Sequence, residues 1–170
     1  LAEIIPLASE LSGRLLTLQN KISDLVDVGE VQEKYADLAV SMESLTGQLE
    51  QLKESTEYKY NRIVSLGEKV KQKEKLYDEI SWPVSLSIRQ LDTWNKEWLA
   101  EKMRWSQFET SLLSDEKLVQ LKPTFVKANK NIDTALELTS SHLETILTVQ
   151  EQGGNIKGNI NELQAELNGL

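Results

Sequence analysis

From Leu118 to the end of the chain one stripe recurs every three or four residues without a slip. Its members are Leu118, Leu121, Phe125, Ala128, Ile132, Ala135, Thr139, His142, Ile146, Val149, Gly153, Ile156, Ile160, Leu163, Leu167 and Leu170. A mainly apolar stripe with a mean spacing of about 3.5 residues keeps a long helix seated against partner helices over many turns. Because 3.5 lies below the 3.6 of a straight helix, the spacing predicts a left-handed supercoil. A chain organised around such a stripe folds as packed helices.

The rest of the sequence agrees with that constraint. Three prolines and eight glycines punctuate 170 residues, and no strand pattern of several residues occurs. The first helix is predicted over about 1–26, with Leu11, Leu15, Leu18, Ile22 and Leu25 on its stripe. Asp27-Val28-Gly29-Glu30 shifts the heptad phase and reads as a turn, with Gly29 suited to the residue just past a helix end. A second helix follows over about 31–80. Its stripe runs from Val31 through Tyr35, Leu38, Met42, Leu45, Leu49, Leu52, Thr56, Lys59, Ile63, Leu66, Val70, Lys73 and Tyr77 to Ile80. Lys59 and Lys73 on that stripe can bury their stems and keep their charges in water, or else mark where a partner helix leaves.

Ser81-Trp82-Pro83 is expected to end it, because proline cannot continue the hydrogen-bond ladder. The third helix is placed at about 84–113, carrying Ile88, Leu91, Trp94, Trp98, Trp105, Phe108 and Leu112. The fourth is placed at about 115–169, capped by Ser114 and favoured at its start by Asp115 and Glu116. Pro123 should kink the fourth helix or make Lys122 its true boundary, and Gly153-Gly154 reads as a hinge or local break. The expected fold is therefore all-α: an elongated antiparallel bundle, or coiled-coil rod, of four helices, two long and two short.

At 1.5 Å per residue, roughly 40 Å of the fourth helix should extend beyond the others, leaving residues after Ser140 without a partner in the chain. Ile146, Val149, Ile156, Ile160, Leu163 and Leu167 are then candidate interaction residues, for self-association or for other parts of the parent protein.

Charge and residue usage remove whole classes of function. With 27 acidic against 19 basic residues, a net charge of −8 argues against binding nucleic acid, whose phosphates need a basic face. The absence of cysteine removes disulfides, thiolate metal sites and cysteine nucleophiles. No apolar run approaches the roughly 18 residues of a membrane span, and no signal peptide is visible. The chain begins with Leu1, and a fragment of a larger protein is expected.

Few side chains invite chemistry. His142 is the single histidine and falls on the core stripe, where it reads as an interface histidine or a pH-sensitive contact. Lys69, Lys71, Lys73 and Lys75 read as a helix face interleaved with Glu68, Glu74 and Glu79, or as a docking patch. Trp94, Trp98 and Trp105 share a face with Leu91 and Phe108 and suit core packing. Gly154 and Gly158 are spaced like a membrane dimer motif, but Asn155, Lys157 and Asn159 around them do not suit one. No phosphate loop, zincin motif or nucleophile elbow occurs, so no catalytic residue, cofactor or metal ligand is assigned.

Two helices carry a further pattern. It runs Ile88-x-x-Leu91-x-x-Trp94-x-x-x-Trp98, Trp105-x-x-Phe108-x-x-x-Leu112, Ile132-Asp133-x-Ala135-Leu136 and Leu147-x-Val149-Gln150. It ends with Ile156-x-x-x-Ile160 and Leu163-x-x-x-Leu167. This resembles the N-terminal extracytoplasmic coiled-coil region of large bacterial mechanosensitive channels of the small-conductance (MscS-like) type, over about 86–170. The resemblance implies a periplasmic, non-conducting segment of an inner-membrane channel, acting in assembly, gating modulation or envelope contact. A spectrin-like spacer or scaffold and a helical extracytoplasmic sensor domain are the alternatives.

Overall fold

The computed structural model describes residues 4–55, 59–114 and 116–170, with the side chains of 111–114 and 116–118 outside that description. Its elements are α1 (Ile4–Ser23), α2 (Val28–Glu54), α3 (Lys59–Ser114), a 3-10 turn (Glu116–Leu121) and α4 (Lys122–Asn168). The chain is all-α among the described residues, with three long helices, α2, α3 and α4, packed together. Leu1, Thr56 and Asp115, and the side chains of Leu112, Ser114, Glu116 and Leu118, lie outside the described residues.

Helix boundaries depart from the sequence expectation in four places. First, the predicted 31–80 helix is two helices. Ser55 is extended (φ −83°, ψ 138°), and its N–H closes on the carbonyls of Gln51 and Leu52. No Gly or Pro marks this break, and its one trace in the heptad is that the stripe turns polar at Thr56 and Lys59. Its physical gain is burial: Leu66, Val70 and Ile80 of α3 join Leu38, Leu45 and Leu52 of α2 in the interior.

Second, α3 runs straight through Pro83. An interior proline costs about 3 kcal/mol by removing an N–H and crowding the preceding turn. Against that stand Ile80, Val84 and Leu91, all buried on one face, each contributing roughly 1.5–3 kcal/mol. Pro83 and Glu79, whose carbonyl the proline leaves unpaired, are both exposed, so water can satisfy that carbonyl.

Third, the turn after α1 begins at Asp24, and α2 starts at Val28 rather than at 31. Asp27 is the N-cap of α2, its carboxylate accepting the Glu30 N–H at 3.2 Å, which places Gly29 inside the helix and not past the end of α1. Fourth, α4 starts at Lys122, not 115. Pro123 thus stands in the first turn, where a missing N–H is no loss.

The chain divides into two compact units. The first is Leu1–Leu25 with Ser87–Glu144, and the second is Val26–Leu86 with Thr145–Leu170. Both therefore draw on α3 and α4.

In the first unit the interior is Ile4, Leu11 and Leu18 of α1, Trp98 and Trp105 of α3, and Phe125, Ala128, Ile132 and Ala135 of α4. Leu15, Trp94, Phe108 and Leu136 pack half-buried around it. Contacts between α1 and α3 run in opposite chain directions: Arg14 meets Glu101, and Lys21 lies over Trp94. Those between α3 and α4 do the same, with Lys102 on Asp133 and Asn95 on Thr139.

The second unit is built from α2, the first half of α3 and the end of α4. Its buried side chains are largely aliphatic, with Tyr35 and Met42 the exceptions in size and shape. Gln48 meets Lys69 and Tyr35 meets Tyr77, so α2 and α3 also pair in opposite directions. The partner that α4 was expected to lack is here. Ile146, Val149, Ile156, Ile160, Leu163 and Leu167 are all buried, 0–7% exposed, in the same unit as α2 and α3. The expectation of an unpartnered tail failed because it placed the break at Pro83. Moving the break to Ser55 brings the start of α3 alongside α2 and gives the end of α4 a two-helix bed.

Candidate functional site

The side chains with most chemical character converge in the second unit, around the contact of α4 with α2 and α3. Tyr35 projects from α2 and is 1% exposed. A Cβ added to Gly153 of α4 would stand 2.5 Å from the Tyr35 ring carbon Cζ and 2.6 Å from its oxygen. Only a residue without a side chain fits under that ring. Gly153 is therefore a close-approach site, and α4 passes through Gly153-Gly154 as continuous helix, so of the two readings of that pair, hinge or local break, the break is overturned.

Tyr77 stacks on Tyr35 with ring centroids 6.1 Å apart. Burial pushes the Tyr35 phenol up to about 12, with Tyr77 adding to the rise. It stays protonated at any physiological pH. The Lys157 ammonium lies 5.6 Å from the centre of the Tyr77 ring and 3.6 Å from a Glu74 carboxylate oxygen. The Gln164 amide donates to the other Glu74 oxygen. That hydrogen bond, with Lys157 beside it, holds the Glu74 carboxyl below its ordinary value, working against partial desolvation. The group forms a polar collar around an aromatic pair. It contains no nucleophile paired with a base, and Tyr35, its most buried member, is too weak an acid to exchange protons near neutrality.

The first unit has a smaller counterpart. Arg14 reaches from α1 to Glu101 at 2.7 Å and lies 4.9 Å from the centre of the Trp98 ring. Deeper in, Thr139 is fully buried and donates to the carbonyl of Ala135 or Leu136. The Asn95 amide donates to both the Thr139 and Ser140 hydroxyls at 2.8 and 3.0 Å. These bonds satisfy polar groups at a helix contact and fix its register.

Residues singled out in the sequence fall into place differently. Trp98 and Trp105 are core, 3% and 1% exposed, and Trp94 lies half-buried beside them. Trp105 contacts Phe108 and Phe125 at centroid distances of 5.4 and 5.6 Å. His142 is exposed, contrary to its expected place on the stripe, and Leu143 turns half inward instead. A strict heptad overruns by about 20° per repeat on a straight helix, so one polar position between Thr139 and Ile146 can rotate out. Of the lysine cluster, Lys69, Lys71 and Lys75 are exposed and Lys73 is half-buried, while Lys59, expected on the stripe, is exposed. The close seating of Tyr35 on Gly153 was missed. Its only sequence signal was a glycine standing on the core stripe.

Among the described residues no group of three or more His, Asp or Glu side chains could hold a metal ion. No described helix is long and apolar enough to cross a membrane. The surface grooves are open, and their linings mix amides, lysines and aliphatics, as in the one bounded by Gln48, Gln51, Arg62, Ser65 and Lys69.

Fold and site together define an all-α module whose polar and aromatic groups meet one another across helix contacts. Comparison with protein-family models, with characterised proteins and with solved structures finds no match to this chain.

Proposed function

We propose that this chain is a non-catalytic helical module, packed as antiparallel three-helix layers, and that it acts through its helix surfaces as a part of a larger protein. The observation that carries the reading is the fate of its chemically capable groups. Arg14, Lys102, Glu74, Lys157 and Asn95 all point at partners on a neighbouring helix. Groups so used orient helices and hold register.

The specific role we propose is that of the extracytoplasmic segment of a mechanosensitive channel of the MscS-like type, acting in assembly, gating modulation or envelope contact. Its support is the tryptophan spacing on α3, which serves the core of the first unit. A spectrin-like spacer would string three-helix units in tandem along the chain. Here the segments of the two units alternate along the chain, 1–25 and 87–144 in the first and 26–86 and 145–170 in the second, a different order.

The test is deletion of residues 1–170 from the full-length parent, followed by patch-clamp and by sizing of the membrane complex. A changed tension threshold or failed assembly supports the role. Unchanged threshold and unchanged assembly contradict it. A coding sequence downstream that holds a single span and a signalling domain would make the module a sensor.

A further inference from the structure

Residues 153–159 of α4 read Gly-Gly-Asn-Ile-Lys-Gly-Asn, with three glycines and two asparagines in two turns of helix. Each of these residue types disfavours helix relative to alanine, glycine most of all. Gly153 has a packing reason, the Tyr35 ring. Gly154 and Gly158 have none: a Cβ added at either meets nothing within 4 Å, and both positions are exposed. At these two positions the chain gives up helix stability without gaining a contact. What holds the segment helical is its docking, through Ile156 and Ile160 in the interior and Lys157 on Glu74 and Tyr77.

We propose that residues 153–159 form a latch, a stretch of α4 that opens locally while the rest of the helix stays formed, and that Tyr35 seated on Gly153 holds it shut. Opening withdraws Ile156 and uncovers Tyr35 together with the flanks of α2 and α3 beside it. The latch is a conformational device of the second unit and does not depend on the channel reading.

Local opening has a signature that global unfolding lacks: amides in the segment exchange with solvent faster than their neighbours on the same helix. Native-state hydrogen exchange on the whole chain should show residues 154–160 exchanging at least tenfold faster than 146–152. Gly154→Ala and Gly158→Ala should each slow that exchange about fivefold, and both together about 25-fold, with 122–144 unchanged. Gly153→Ala should act in the opposite direction, because its new methyl displaces Tyr35. Uniform exchange along α4 would overturn the proposal. So would alanine variants that slow every amide of the unit equally, since the segment would then open only with the whole.

Discussion

The two units solve one packing problem with the bulk placed on different helices. In the first, the largest side chains sit on α3, and Trp98 and Trp105 share a cluster with Phe125, Ala128, Ile132 and Ala135 of α4. In the second, the large side chain sits on α2, and Tyr35 lies over Gly153 of α4. In the first, α4 thus meets the tryptophans with a mixed set, Phe125 against Trp105 among them, whereas in the second it contributes one small residue under one ring, and a large residue opposite a small one lets layers interdigitate. The consequences differ. A tryptophan in a mixed apolar cluster loses contact area when truncated, but the backbone is not pinned at a single residue. A tyrosine on a glycine fixes one position of α4 so tightly that even a methyl group is excluded. The first unit should therefore be most sensitive to deletions and the second to additions.

Trp105→Ala is the strongest probe of the deletion side. It removes a side chain that is 1% exposed and touches Phe108 and Phe125, so the first unit should lose about 3–5 kcal/mol, read by chemical denaturation. A loss below about 1 kcal/mol would mean that the cluster is not the unit's core. In the second unit the buried Tyr35 hydroxyl gives a pH-dependent probe. Its value of about 12 lies above the ordinary 10, so the folded state holds the proton more tightly than the unfolded chain. Stability is then fully present below pH 10 and declines between 10 and 12, by roughly 2–3 kcal/mol at most. Tyr35→Phe should remove this part of the alkaline slope, and an unchanged slope would place the hydroxyl in water.

Gly153→Ala tests the addition side directly. Overpacking against Tyr35 should cost about 1–3 kcal/mol, although alanine ordinarily favours helix. Stabilisation by this substitution would break the comparison between the units. A smaller effect, about 1 kcal/mol, is expected for Thr139→Val, which takes an acceptor from Asn95 while leaving it Ser140. Smallest of all is Trp82→Ala: this tryptophan is 66% exposed on α3, and its loss should change stability by less than about 0.5 kcal/mol. Two tryptophans on one helix thus bracket the range.

Much of the interior could be read from spacing alone. The stripe from Phe125 to Leu167 is the buried face of α4 except at His142, and the Tyr35–Leu52 stripe is the buried face of α2. Periodicity reports which face is covered, because burial repeats with the helix. It does not report what covers it. The choice between a break at Ser55 and one at Pro83 decides that, and local preference favours proline. Tertiary burial of Ile80, Val84 and Leu91 overrides it. The Tyr35 site was illegible for a related reason. A close approach depends on two residues 118 positions apart, and a lone glycine in a helical pattern ordinarily signals weakness. The partners of Glu74 and Asn95 likewise lie on another helix, beyond the reach of local sequence.

The most direct test of this account is whether the apolar face at the end of α4 is interior. The chain has no cysteine, so one introduced thiol reports on its own position. Ile160→Cys and Asn159→Cys should be labelled in parallel with a water-soluble maleimide, since Ile160 is 0% exposed and Asn159 faces solvent. Labelling at 160 should be at least about 100-fold slower than at 159, with the difference lost in denaturant, as opening is needed to expose a buried thiol. Equal rates in native buffer would show the face to be uncovered, and would contradict the packing of α4 against α2 and α3.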